Sequence, residues 1–160
     1  MSGVIAGIDP GLSGAIALLS PDGTLVIIDM PTLKVGAKHM VDEVELARIF
    51  DLHAIGTAVL ERVATRPGEG AVGAFSFGRS YGLLRGILRA HFVPIVDVTP
   101  QRWQRDIGIK SGGGKDVARA LAKEHFQRDA GLFARVKDDG RADAALMALW
   151  GRRQALKAVA

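Results

Sequence analysis

Cysteine is absent from the 160 residues, which excludes disulfides, iron–sulfur clusters, cysteine-based zinc sites and thiol catalysis. No apolar run approaches the ~20 residues that span a bilayer, so no membrane partner is expected. The start of the chain lacks the basic-then-apolar layout of a secretory signal, because Asp9 interrupts its first apolar run. Repeats, low-complexity tracts and linkers are missing too, and a single domain over residues 1–160 is expected. The histidines, at 39, 53, 91 and 125, are too far apart to form a ligand pair. Charge of one sign is scarcely in excess: 21 Lys+Arg against 17 Asp+Glu leaves +4, which permits a polyanionic partner without identifying one. What is present is ordinary globular usage, 48% hydrophobic and 24% charged, a balance that excludes a disordered chain. The expectation is a soluble protein of a reducing, cytoplasmic compartment.

Three Val/Ile/Leu-rich runs lead the chain: Val4 to Ile8, Ala15 to Leu19 and Leu25 to Ile28. Pro10-Gly11-Leu12-Ser13-Gly14 and Ser20-Pro21-Asp22-Gly23 separate them and supply turn dihedrals, so an antiparallel meander is predicted. Met30 to Lys38 reads as a loop with two lysines, and apolar spacing from Val41 to His53 predicts a helix, acidic near its start. Thr57 to Leu60 is a fourth strand ending at Glu61, and Thr65 to Gly73 is a flexible loop. Phe75 to His91 reads as a helix despite Gly78, Gly82 and Gly86, whose spacing suggests close packing on one face. Val93 to Val98 is a fifth strand, with Pro94 arguing for a sheet edge. Thr99-Pro100 opens a short helix through Arg105. Ser111 to Gly114 follows as a hinge, Asp116 to Gln127 as a helix, Asp129 to Lys137 as a connector, and Gly140 to Leu156 as a last helix.

With the first three strands in a meander, strand four is best placed beside strand one and parallel to it, by a crossover. Asp9 and Glu61 then emerge together at the carboxyl edge of the sheet, where α/β folds carry function. Asp139 and Asp143 share one helical face. Asp143 also borders the apolar stripe of Ala142, Ala145, Leu146 and Leu149, so it should point to the sheet margin. Each acid has a plainer account alone: Asp9 as a turn residue before Pro-Gly, Glu61 as a partner of Arg62, Asp138 or Asp139 as a helix cap. Together they fit those accounts poorly, because clustered carboxylates repel and raise one another's pKa unless cations neutralise them. Hard divalent ions prefer oxygen ligands, and two of them about 3.5–4 Å apart can activate water and stabilise the leaving oxygen of a phosphodiester. The donor set points to Mg²⁺ or Mn²⁺ rather than zinc, and to metal-assisted phosphodiester hydrolysis.

Five segments also carry a family resemblance: GIDPGLSG, LERV, FSFGRSYGLLRGIL, VTPQRWQRDIGIKSGGGKDVARALA and DDGRADAALMALWG. In this order, over nearly the whole chain, they resemble the RuvC-type Holliday-junction resolvases, in particular their compact phage and bacterial branch. The resemblance implies a ribonuclease-H-like fold. With the elements above, the expected class is α/β, a five-stranded mixed sheet (meander plus two parallel strands) flanked by helices. It further implies a homodimer placing paired symmetric nicks across a four-way DNA junction, in a bacterial or phage-infected cell. Two Mg²⁺ ions per site, with Mn²⁺ as substitute, would take four acidic ligands that map onto Asp9, Glu61, Asp139 and Asp143. Two places depart from the family pattern. Its third ligand usually lies three residues before the last acid, which is Gly140 here, leaving Asp139 or Asp138 to serve. Its bacterial members carry a junction-wedging aromatic three residues after the strand-end glutamate, where this chain has Ala64; Phe75 or Phe77 would take that role.

Among the basic residues Lys115 is the leading DNA contact, since it follows three glycines and opens a helix, where backbone N–H groups also favour phosphate. Arg79, Arg62, Arg66 and Lys110 follow it, although each alone is an ordinary solvated charge. The Ser111-Gly-Gly-Gly-Lys115-Asp116 stretch lacks the first glycine and the Ser/Thr of a P-loop, so no nucleotide cofactor is expected. Trp103 and Trp150 read as core or dimer anchors. Two rival readings remain: a catalytically silent junction-binding protein, and a nuclease of the same fold acting on branched or flap DNA or on RNA.

Overall fold

In the computed structural model, which describes residues 3–62, 64, 68, 70–110 and 114–158, the leading apolar runs pair as the turns between them dictate. β1 (Val4–Ile8), β2 (Ala15–Leu19) and β3 (Leu25–Asp29) form the antiparallel meander. The stretch from Met30 to Lys38, expected as a loop, instead holds β4 (Thr32–Val35), which pairs with β5 (Lys38–Val41) in a separate two-stranded sheet. Gly36, in the two-residue turn between them, has φ 61°, a left-handed conformation that a residue without Cβ adopts freely. Thr32-Leu33-Lys34-Val35 does alternate polar and apolar residues, but over four positions only, and Lys38-His39-Met40-Val41 does not alternate, so the hydrophobic pattern marks the pairing weakly.

α1 (Glu43–Leu52) is capped by Asp42, whose carboxylate accepts from the Val44 and Glu45 amides. β6 (Ile55–Glu61) then lies parallel to β1, as the crossover requires. α2 (Ala71–Ala90) starts inside the segment expected as a loop. β7 (Ile95–Val98) takes the sheet edge in the order β3-β2-β1-β6-β7, the place that Pro94 indicates. α3 (Pro100–Ile107) follows the Thr99 cap, and α4 (Lys115–His125) follows the glycine-rich stretch, of which Ser111 to Gly113 lie outside the described residues. The expected connector is two 3₁₀ turns, Gln127–Phe133 and Val136–Asp138, leading into α5 (Asp139–Lys157).

The sheet separates two cores. Ala6, Ile8, Ala58 and Leu60 face the side covered by α1 and α2. Ala15, Ala17 and Val59 face α5, which is rich in alanine, the strongest helix former, and contributes Ala142 and Ala144 to Trp150 to that core. Gly7 decides how near α5 lies to the sheet: a Cβ there would fall on the Ala144 carbonyl oxygen and within 2.5 Å of the Ala148 nitrogen. The backbone of α5 therefore rests directly on the central strand. The glycines of α2 do not act this way, since a Cβ at Gly78, Gly82 or Gly86 would meet nothing within 4 Å. Among the described residues no helix is long and apolar enough to cross a membrane.

Candidate active site

Strand register delivers the first two acids. Ile8 and Leu60 are partners across the β1–β6 pair, and both point into the α1/α2 core. Alternation turns the next residues, Asp9 and Glu61, to the other face, toward α5. There α5 begins at Asp139, and Asp143 lies one turn on, over the same face. The acids act on one another. Burial, and then the charges of Asp9, Glu61 and Asp139, push the Asp143 carboxyl up to about 7, with Lys115 opposing. Burial also raises Asp9, against the Gly11 amide, which donates to its Oδ1 at 3.2 Å, and against the Lys115 charge. Folding thus gathers Asp9, Glu61, Asp139, Asp143 and Lys115 into one electrostatic unit.

The displaced third acid has a steric reason. A Cβ at Gly140 would stand 2.6 Å from the Ser13 oxygen and 3.0 Å from Asp9 Oδ2. α5 can start this close to the β1–β2 turn only without a side chain at that position, and the acid sits one residue earlier, on Asp139. Asp138 is committed elsewhere: it is 1% exposed and accepts from the Arg135 amide at 2.8 Å and from its guanidinium at 2.7 Å. Those Arg135 hydrogen bonds hold its carboxyl below the usual aspartate range. Asp138→Ala is expected to lower stability by about 1–2 kcal/mol, because it removes the charge-assisted hydrogen bonds of a buried carboxylate to the Arg135 amide and guanidinium; a denaturant melt measures it.

Two positioning groups escaped the sequence reading. Trp103 is fully buried, yet its indole N–H donates to Glu61 Oε1 at 2.9 Å. Arg119, nearly buried, donates to Asp139, to Asp116 and, at 2.9 Å, to the Val136 carbonyl. Lys115 Nζ lies 3.3 Å from the other Asp139 oxygen. Among the described residues, no three His, Asp or Glu side chains stand close enough to form a ready-made metal cage.

The remaining candidates are dispersed. Arg62 follows β6 and Lys110 follows α3, both exposed, while Arg66 lies outside the described residues. On α2, across the sheet from the acids, Arg79 borders Met40, Glu43 and Leu83. Phe75 is 74% exposed. Phe77 is half-buried and lines a hollow of about 520 Å³ with Gly11 to Ser13 of the β1–β2 turn and with Thr32 and His39 of the hairpin. Arg85 is drawn into an ion pair with Asp97, joined by the Tyr81 hydroxyl, which donates to Asp97 at 3.0 Å.

The same architecture recurs in solved structures. Thermus thermophilus RuvC superposes with a TM-score of 0.62 at 14% identity, over 95% of this chain and 96% of that one. Its complex with a Holliday-junction substrate gives 0.65 at 12% identity, over 95% and 96%. The fold is that of RuvC. The yeast mitochondrial Holliday-junction resolvase Ydc2 shares it, with a TM-score of 0.57 at 13% identity over 96% of this chain and 81% of that one. In sequence, this chain is 33% identical over 84 residues to the chloroplastic Holliday junction resolvase MOC1 of Chlamydomonas reinhardtii, 52% of this chain and 10% of that protein. The chain thus spans about a tenth of the length of that curated relative. No family model matches. The resemblance and the ribonuclease-H-like sheet read from the sequence are borne out by these likenesses.

Proposed function

We propose that the chain is a structure-selective endodeoxyribonuclease that resolves four-way DNA junctions by paired symmetric nicks. The observation that carries this reading is Asp143, a carboxyl held at about 7 by burial and three neighbouring acids. A cation bound among those acids removes the repulsion. The donor set, oxygen-only and acidic, fits a hard divalent ion, Mg²⁺ with Mn²⁺ as substitute. Asp9, Glu61, Asp139 and Asp143 would hold two such ions, which when bound activate water and stabilise charge at the scissile phosphate.

The protein's own groups bind and orient the strand. Lys115, 80% exposed beside Asp139, takes a phosphate, helped by the free N–H groups at the start of α4. Arg79, Arg62, Arg66 and Lys110 add phosphate contacts that weaken with salt. Phe75 stacks on an unpaired base, with Phe77 behind it. The open glycine face of α2 leaves room for a second copy, which a junction of two-fold symmetry invites.

One observation favours the catalytically silent alternative: Asp139 is already paired with Arg119 and Lys115. A synthetic four-way junction, with and without Mg²⁺, separates the two readings. Asp9→Asn is expected to bind the junction as wild type does and to cut it about 10³-fold more slowly. Wild-type binding without Mg²⁺-dependent nicking would establish the silent reading. Nicking by Asp9→Asn at the wild-type rate would remove Asp9 from the site.

A further inference from the structure

We propose that Trp103 is a positioning residue for Glu61, an inference that rests on the metal-site reading of the acids. Glu61 ends β6 and Trp103 belongs to α3, so 42 residues of chain separate the two groups that meet. Thr99 caps α3 and Pro100 opens it, which sets the helix so that Trp103 drops into the core beneath α5. An indole has a single polar atom, and burying it without a partner is costly. Here the partner is a carboxylate oxygen, Glu61 Oε1, at 2.9 Å. The ring is fully buried and cannot swing away, so its N–H holds the Glu61 carboxylate in one orientation at the sheet edge. Trp150 provides the internal comparison. It is equally a core tryptophan, and its N–H donates to an acid outside the cluster, Asp106 Oδ2, at 3.1 Å.

Groups that orient a metal ligand from behind typically govern metal affinity or activity by 10–100-fold. Trp103→Phe keeps most of the ring volume and deletes the N–H. It is expected to weaken Mn²⁺ binding, read by electron paramagnetic resonance of the free ion, by about 10–100-fold, and to lower kcat rather than raise KM for junction DNA. Trp150→Phe makes a comparable core lesion and is expected to leave Mn²⁺ affinity at the wild-type value. Should Trp103→Phe fail to fold, the Trp150→Phe protein carries the test, since Trp103 is then its sole tryptophan. Its emission is expected to change on Mg²⁺ addition, and Glu61→Gln in that background is expected to abolish the change.

Wild-type Mn²⁺ affinity in folded Trp103→Phe overturns the inference while leaving the nuclease reading intact. So does Trp103 emission that stays constant while Mn²⁺ is seen to bind. Failure of wild-type protein to bind Mn²⁺ at all removes the metal site, and the positioning role falls with it.

Discussion

Asp143→Asn is expected to make the metal-free protein more stable at neutral pH while abolishing junction cleavage. The folded Asp143 carboxyl titrates near 7, against 3.8 for an unperturbed aspartate. Below 3.8 it is protonated in both states and costs nothing. As pH rises toward 7 the unfolded chain ionises freely while the folded chain resists, so folding stability is lost across that window. By linkage the loss is on the order of 2–4 kcal/mol. Asp9, also raised by burial, adds to the same slope. Asp29 and Asp138 are shifted downward, by their hydrogen bonds to Arg141 and Arg135. They act only below the ordinary aspartate range, where stability falls as pH falls.

In EDTA, thermal melts of the wild type should therefore decline from about pH 4 to about pH 7 and level off above that. The Asn variant, neutral throughout, should show a much flatter profile and melt higher at the upper end. Mg²⁺ should raise the wild-type melting temperature most at high pH, where Asp143 is ready to ionise, and should raise that of the variant far less. A wild-type profile as flat as that of Asp143→Asn would show that the carboxylate is not under the strain its neighbours impose. Cleavage is expected to fall about 10³-fold. A gain in stability with a loss of function is the mark of a residue kept for chemistry.

The parts of this site that were legible in the sequence are those fixed by local rules. Pro10, Gly11 and Gly14 mark the β1–β2 turn, and the crossover rule then places β6 beside β1, so Asp9 and Glu61 share an edge before any side chain is drawn. The i, i+4 spacing of Asp139 and Asp143 is equally local. What was not legible depends on who faces whom across the fold. Trp103 looks like any core tryptophan until the strand end it faces is known, and Arg119 sits on an amphipathic helix like any other arginine. The spacing of Gly78, Gly82 and Gly86 suggested close packing on one face without saying against what, and a Cβ at any of the three would meet nothing within 4 Å. Glycines that do seat α5 against the sheet and its β1–β2 turn are Gly7, Gly140 and Gly151, each isolated in the sequence.

Gly7→Ala is expected to have the largest structural effect of any single methyl addition considered. The new carbon would meet the Ala144 carbonyl oxygen and the Ala148 nitrogen, both backbone atoms of α5. A side-chain neighbour would rotate aside, whereas a helix backbone must move as a body or the strand must bulge. Overpacking of this kind costs about 3 kcal/mol or more. The displacement also falls beside the site, because Ala144 adjoins Asp143 while Gly7 lies two residues before Asp9 on the strand that α5 covers. Lifting α5 withdraws Asp143 and Asp139 from Asp9 and Glu61, so junction cleavage should be lost even under conditions where the variant remains folded. Lys115 and the arginines lie outside that contact, and metal-independent junction binding should survive. Circular dichroism melts, gel-shift titration and the nicking assay on one preparation measure all three quantities. Wild-type nicking by a folded Gly7→Ala protein would show that the seat of α5 on β1 does not set the spacing of the acids.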